Sequence, residues 1–389
     1  MEDVFGDFPL GGETRETLVA NAYTAEGVPA LANIICCTIQ SFFRAMISGD
    51  TPIYLVNKPA PGTGAGFMIA AATTISEGRS ATPWAMAPKD EEFAKALTSY
   101  LRKMPETYFF DNVAHYVKSP ELCLMLTGNQ RYEARLLGTG DTVEVAILGR
   151  CIIAANSFTG CDDIIRRSVL SNLDAHHPAP GDRKMEWKHK DIRAWVLDNR
   201  GKLIWACLTL IQAWIAKGKP MGTENILAGF ESWSRVMGGV LKVAGIGGFN
   251  ANRDKLKATT TGAAQTNEAA LVRAIYNLGD GAILRVGGKA AYKKVDVHTV
   301  IKLLNKADGN EPLLLNGWGY DGDGIYTNAQ LTTPAWDKFA SRVHGLTVEE
   351  GPEGSEIKRK VLISFTKEED NKNGGFVYFA SIKDDAATE

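Results

Sequence analysis

The 389-residue sequence predicts an α/β protein: a parallel sheet with helices on both faces, then a helical segment and a winged-helix-like C-terminal domain. Three observations carry that expectation. Short apolar runs at residues 53–56, 108–110 and 151–155 recur with helical material between them, the alternation of parallel strands joined by crossover helices. The first run enters a glycine-rich loop, Pro59-Ala60-Pro61-Gly62-Thr63-Gly64-Ala65-Gly66-Phe67, and Met68-Ile69-Ala70-Ala71-Ala72 follows with helical character. Near the C-terminus, three short helical patterns precede two strand-like runs, the order of a winged helix.

Taken in order, residues from about Glu26 to Ser48 place Leu31, Ile34, Ile35, Ile39, Phe42, Phe43 and Met46 at helical spacing and stop at Gly49-Asp50. Residues 1–48 are therefore expected as an N-terminal helical segment and 49–176 as the sheet-bearing core. Between the second and third strands, residues 135–137 and 142–147 flank a turn at Gly138-Thr139-Gly140-Asp141, a hairpin pattern. The breaker cluster from His176 to Asp182 marks a boundary. Beyond it, 177–262 forms a helical region, with one helix from Asp191 to Lys217 and another from Phe230 to Val243. Residues 255–265 read as a linker. In 263–389, helices are expected over 268–278, 297–306 and 334–343, and strands over 360–365 and 375–382.

Composition limits the function classes. The chain is 45% hydrophobic and 23% charged with a net charge of −2, so no global basic excess advertises nucleic acid. The six cysteines lack metal-ligand spacing and read as reduced, buried thiols. The acidic N-terminus has no signal-peptide shape, and the most apolar window, Leu203 to Ala216, is too short for a membrane span. No membrane partner and a cytoplasmic location are expected.

The loop reads as a phosphate cradle. Gly62 and Gly64 let backbone N–H groups turn toward phosphate oxygens, and the helix that follows adds its positive end; Pro61, Thr63, Ala65, Gly66 and Phe67 complete the binding segment. Ala65 stands where the P-loop motif calls for lysine, and Gly66 where it calls for Ser or Thr. Nucleotide hydrolysis also needs an acid for Mg²⁺, a polar group to orient water and a positive charge on the γ-phosphate. Asp111, ending an apolar strand, supplies the first; a strand-ending cap is its bland alternative. Asn112 stands where a carboxylate base is often found. Asn156 ends the third strand as a water-orienting amide, or as ordinary turn chemistry. Arg166 and Arg167 are an arginine finger for a neighbouring subunit, or a solvated pair bridging to Asp162 and Asp163.

This order of motifs resembles the superfamily 3 helicases of the AAA+ class, and most closely the helicase domains of phage and plasmid primase-helicases, including the poxvirus-type group. The resemblance rests on Asn57-Lys58-Pro59-Ala60-Pro61-Gly62-Thr63-Gly64, Phe110-Asp111-Asn112-Val113, Ala155-Asn156, Ile165-Arg166-Arg167 with Leu173-Asp174, and residues 230–239. It covers residues from about 40 to 255. It implies an AAA+ P-loop ATPase core binding ATP and Mg²⁺, a homo-oligomeric ring (usually a hexamer), single-stranded or forked DNA in its channel, a bacterial host, and a primase module or partner outside this chain. Ala65 departs from the family and implies a ring that forms but scarcely turns over. The retained Asp111, Asn156 and arginines favour an exchanged lysine over natural decay.

Expected DNA contacts are Arg131, Arg135, Thr139, Gly140 and Arg150 around the hairpin, with Tyr132 as a stacking ring. Lysines and arginines in 263–389 suit phosphate contacts, although the acidic residues among them equally suit protein docking. The rival class is a non-catalytic, ring-forming DNA-binding or scaffold protein, an origin remodeller or defence component that uses ATP at most as a switch.

Overall fold

The computed structural model describes residues 2–256 except 88–89, 114–116, 136–141, 178–179, 184–186 and 255, and beyond them the backbone of four strands between 283 and 384. The chain divides into two compact units, Met1–Lys257 and Ala258–Glu389. The first contains, in order, α1 (Glu2–Phe5), α2 (Arg15–Asn21), α3 (Pro29–Phe43), β1 (Ile53–Lys58), α4 (Ala65–Glu77), β2 (Pro83–Trp84), α5 (Asp90–Leu101) and β3 (Thr107–Val113). It continues with α6 (Pro120–Thr127), β4 (Arg131–Arg135), β5 (Thr142–Ala146), β6 (Arg150–Asn156), α7 (Asp162–Ile165), β7 (Ser168–Asn172), α8 (Ile192–Asp198), α9 (Arg200–Ala216) and α10 (Glu231–Val243).

Five strands form a parallel sheet in the order β2-β3-β6-β1-β7. The three expected strands are its centre, whereas β2 and β7 at the edges were not anticipated. The period of two in a strand explains why the central runs are apolar throughout. Tyr54 and Val56 of β1 enter one core with α3, α4, α9 and α10, while Ile53 and Leu55 enter a second core with Phe93, Leu97, Leu122 and Met125 of α5 and α6. Both faces of β1 are dry, so neither can be polar.

The expected helix from Asp191 to Lys217 is broken. Asn199 ends α8 by donating from Nδ2 to the Trp195 carbonyl (2.9 Å) and opens α9. Arg200 then donates from Nε to the Thr74 and Ile75 carbonyls and from Nη2 to that of Ser76, capping the last turn of α4 with a cation. α10 is tied in by Trp233, whose Nε1 donates to Gln40 Oε1 (2.9 Å) of α3, itself accepting from Tyr54 OH (2.7 Å) of β1. Residues of the expected segments 1–48 and 49–176, and of 177–262 as far as Lys257, thus lie in one unit.

In the second unit, β8 (Ile283–Val286), β9 (Leu346–Glu350), β10 (Arg359–Glu369) and β11 (Phe376–Asp384) form an antiparallel sheet in the order β8-β11-β10-β9. The two runs expected as a two-stranded wing are β10 and β11, paired with Ile363 opposite Ile382. Each gains a further neighbour, so four strands replace two. The expected helices over 268–278, 297–306 and 334–343, and the basic side chains of 263–389, lie outside the described residues.

Candidate functional site

The glycine-rich loop leaves the C-terminal end of β1, the edge at which open α/β sheets place ligands. Its base is fixed by neighbouring strands. Asn57 accepts through Oδ1 from the Phe158 amide (2.8 Å) and through its carbonyl from the Leu173 amide (2.9 Å), and the Lys58 carbonyl accepts from Ser157 (2.8 Å). Gly62 and Gly64 have φ of 85° and 94°, the left-handed region in which a side chain is strained, and α4 starts at Ala65. Thr63 between them is fully buried, yet its Oγ1 has no hydrogen-bond partner.

Asn156 lies beside this loop, its Cα paired with that of Lys58 across β6 and β1. Its Oδ1 is a second buried polar atom without a partner. β3 is the next strand beyond β6, and its register slips between Phe110 and Val113. Asp111 and Asn112 occupy that bulge, a device that re-aims side chains near active sites. Asp111 is half-buried and accepts at Oδ1 from the Asn112 amide (2.8 Å); Asn112 is exposed with φ of 53°. The loop, Asn156 and Asp111 therefore share one edge, with the strand of Asn156 between the other two. That edge supplies amides, a hydroxyl, an amide oxygen and a carboxylate, a donor set that fits phosphates with a hard cation. Ala65 is buried and brings no charge.

Sequence reasoning missed what surrounds the loop. The cluster from His176 to Asp182 reads as a boundary, but a 3₁₀ turn at Pro180–Asp182 returns to Gly62: a Cβ there would lie 2.6 Å from the Gly181 amide nitrogen. On Gly64, a Cβ would meet the Phe8 ring at 3.2 Å, and Trp187 lies edge-on to Phe8 with centroids 6.3 Å apart. The half-exposed Phe67 ring at the start of α4 carries Arg193 over its face at 4.6 Å. An N-terminal segment and a post-sheet segment thus meet over the loop. Only Trp187, an aromatic flanked by Glu186 and Lys188, signals this in the sequence.

Arg166 and Arg167 lie elsewhere. They precede β7, and the Ile53 amide at the start of β1 donates to the Arg167 carbonyl (2.9 Å). The loop follows the far end of β1, roughly 17 Å away at 3.3 Å per residue. Both guanidinium groups bond Asp163, Arg166 through Nε at 2.7 Å and Arg167 through Nη1 at 3.1 Å. Arg166, then Arg167, holds the Asp163 carboxyl below its ordinary value. Within the chain they form the bridged pair, on Asp163 alone rather than on both Asp162 and Asp163, at the end of β1 away from the loop.

The hairpin residues divide. β4 and β5 pair antiparallel, with Arg131 exposed and bridged to Glu144 (3.3 Å). Arg135 ends β4, and Thr139 and Gly140 lie outside the described residues. Arg150 is corrected. It is 1% exposed and donates to Thr107 Oγ1, the Cys37 carbonyl, Ser76 Oγ and Glu77 Oε1, because burial demands that every donor be satisfied. It cannot touch DNA. Tyr132 is corrected likewise: the ring is buried and its hydroxyl donates to Glu121 Oε2 (2.7 Å).

Among the described residues no helix is long and apolar enough to cross a membrane. No protein-family profile and no curated protein sequence matches the chain. Among solved structures, the chain is similar to "The A form apo structure of NrS-1 C terminal region-CTR(305-718)" at 15% identity with a TM-score of 0.33, covering 68% of this chain. It spans 55% of that chain's length. The fold itself is established: an α/β chain whose five-stranded parallel sheet is flanked by helices, consistent with a P-loop NTPase core.

Proposed function

We propose that this chain is an ATP-dependent DNA helicase or translocase of the ring-forming kind, belonging to a mobile-element replication protein, with turnover suppressed by Ala65. The observation that carries the nucleotide site is the pair of buried, unpartnered polar atoms, Thr63 Oγ1 and Asn156 Oδ1, at the edge where half-buried Asp111 sits in its bulge. Buried polar groups are nearly always satisfied, so two orphans at a phosphate-type loop point to a ligand. The Gly62–Gly64 amides bind the phosphates and Asn156 orients water. Asp111 would hold Mg²⁺, which would supply neutralisation of phosphate charge. The arginine pair at the opposite sheet edge serves a neighbouring protomer, which requires a ring. Single-stranded DNA meets the β4–β5 hairpin through Arg131, and a primase acts as a separate module or partner.

The non-catalytic rival gains from one observation: Ala65 is buried in the loop with no charge of its own, so ATP binding without hydrolysis is a coherent switch. The test is Ala65→Lys. Rescue of DNA-stimulated ATP hydrolysis by roughly 100-fold or more supports the motor. Binding of MgATP with no hydrolysis in the lysine variant supports the switch, and absence of nucleotide binding in both forms sinks the site.

A further inference from the structure

We propose that Arg183 supplies in cis the phosphate-binding cation that position 65 lacks; this rests on the nucleotide reading above. The loop has Thr63 and two glycines but no charge, whereas a triphosphate held by amides alone is poorly neutralised. Arg183 is placed to correct that. Its Nε donates to the Pro180 carbonyl at 3.0 Å, the first residue of the turn whose next residue, Gly181, touches Gly62. The guanidinium is thus one hydrogen bond removed from the turn that abuts the loop. Its Nη2 is buried and has no partner. A buried donor atom with nothing to donate to is costly, although Arg183 is half-buried as a residue and Arg44 Nε and Arg167 Nε are likewise buried without partners. Arg150 uses its nitrogens on four partners and Arg200 on three carbonyls.

The segment is also held in place independently of any ligand. Lys188 pairs with Asp3, its amide donates to Asp7 Oδ2 (2.9 Å), and Trp187 packs against Phe8 beside Gly64. Arg183 therefore lies in sequence between two attachments, one at Gly62 through Gly181 and one at the N-terminal segment through Trp187 and Lys188. The fork geometry of a guanidinium suits two phosphate oxygens better than an ammonium does.

The experiment measures binding of MgATP, MgADP and AMP to the full chain by fluorescence anisotropy of labelled nucleotides, with thermal unfolding as a folding control. Arg183→Ala is expected to weaken MgATP at least 10-fold and AMP less than 2-fold, with Arg183→Lys in between. In an Ala65→Lys background, the loss on Arg183→Ala should shrink below 3-fold, since the two cations serve one phosphate group. Nucleotide binding by the parent chain that Arg183→Ala leaves unchanged overturns the assignment while sparing the nucleotide site. Equal weakening of all three nucleotides overturns it as well, because a merely structural role would not discriminate by phosphate number. If the parent chain binds none of them, the site and this assignment fall together.

Discussion

Gly62 and Gly181 meet backbone to backbone: a Cβ on Gly62 would lie 2.6 Å from the Gly181 nitrogen, whereas one on Gly181 would find only the Gly62 Cα at 3.9 Å. The contact is one-sided, and it couples the phosphate-type loop to the turn that carries Arg183.

Gly62→Ala is therefore expected to cost about 2 kcal/mol or more, combining a left-handed φ of 85° with the collision. Gly181→Ala should change stability by less than about 0.5 kcal/mol. Chemical denaturation of the two variants reads the difference, and equal costs would contradict the contact.

Thr63→Val and Asn156→Ala should separate binding from stability. Each removes a buried oxygen that has no partner, so folding should be unchanged within about 1 kcal/mol or slightly improved. Nucleotide affinity in Thr63→Val, and hydrolysis in Asn156→Ala carrying Ala65→Lys, should fall at least tenfold. Strong destabilisation of either variant would mean that the oxygen has a structural partner after all.

Arg150→Ala leaves Glu77 buried without its 3.0 Å counter-charge and should cost about 3–5 kcal/mol. Arg131→Ala, at an exposed pair, should change stability by less than about 1 kcal/mol. If DNA binding exists, Arg131→Ala weakens it and lowers its salt dependence, while folded Arg150→Met should bind as the parent does. Filter binding across a salt series distinguishes them.

Alkaline pH should destabilise the first unit. Burial pushes the Cys37 and Cys207 thiols up to about 11, and Cys36 and Cys151 upward too. Unfolded thiols release protons near about pH 8.5. The folded chain therefore holds more protons between those values, so stability is full below about pH 8.5 and declines as pH rises toward 11. Urea midpoints across this window should fall, and Cys37→Ala should flatten the decline. At pH 8, alkylation followed by mass spectrometry should reach the half-buried Cys123 and Cys161 while sparing those four.

Much of the fold was written in local patterns. The runs that became β1, β3 and β6 are apolar because both their faces are dry, and Gly62 with Gly64 announces a loop whatever follows. β7 escaped notice because Ser168 and Ser171 break its apolar run; only in the sheet do their hydroxyls find the Ile164 and Ala30 carbonyls. Arg150 shows the limit for side chains. An arginine in sequence reads as exposed charge, and its burial is visible only once Ser76 and Glu77 of α4 and Thr107 of β3 surround it.

By itself, the sequence determined the α/β class, the position of the phosphate-type loop after a buried strand, and Asp111 and Asn156 at strand ends. These depend on periodicity and on backbone freedom within a few residues. The tertiary structure alone decided that these groups share one edge, that Arg166 and Arg167 lie at the opposite edge, and that the segment around Arg183 folds back over Gly62. Those outcomes depend on strand order and on contacts between residues more than a hundred positions apart, which no local pattern encodes.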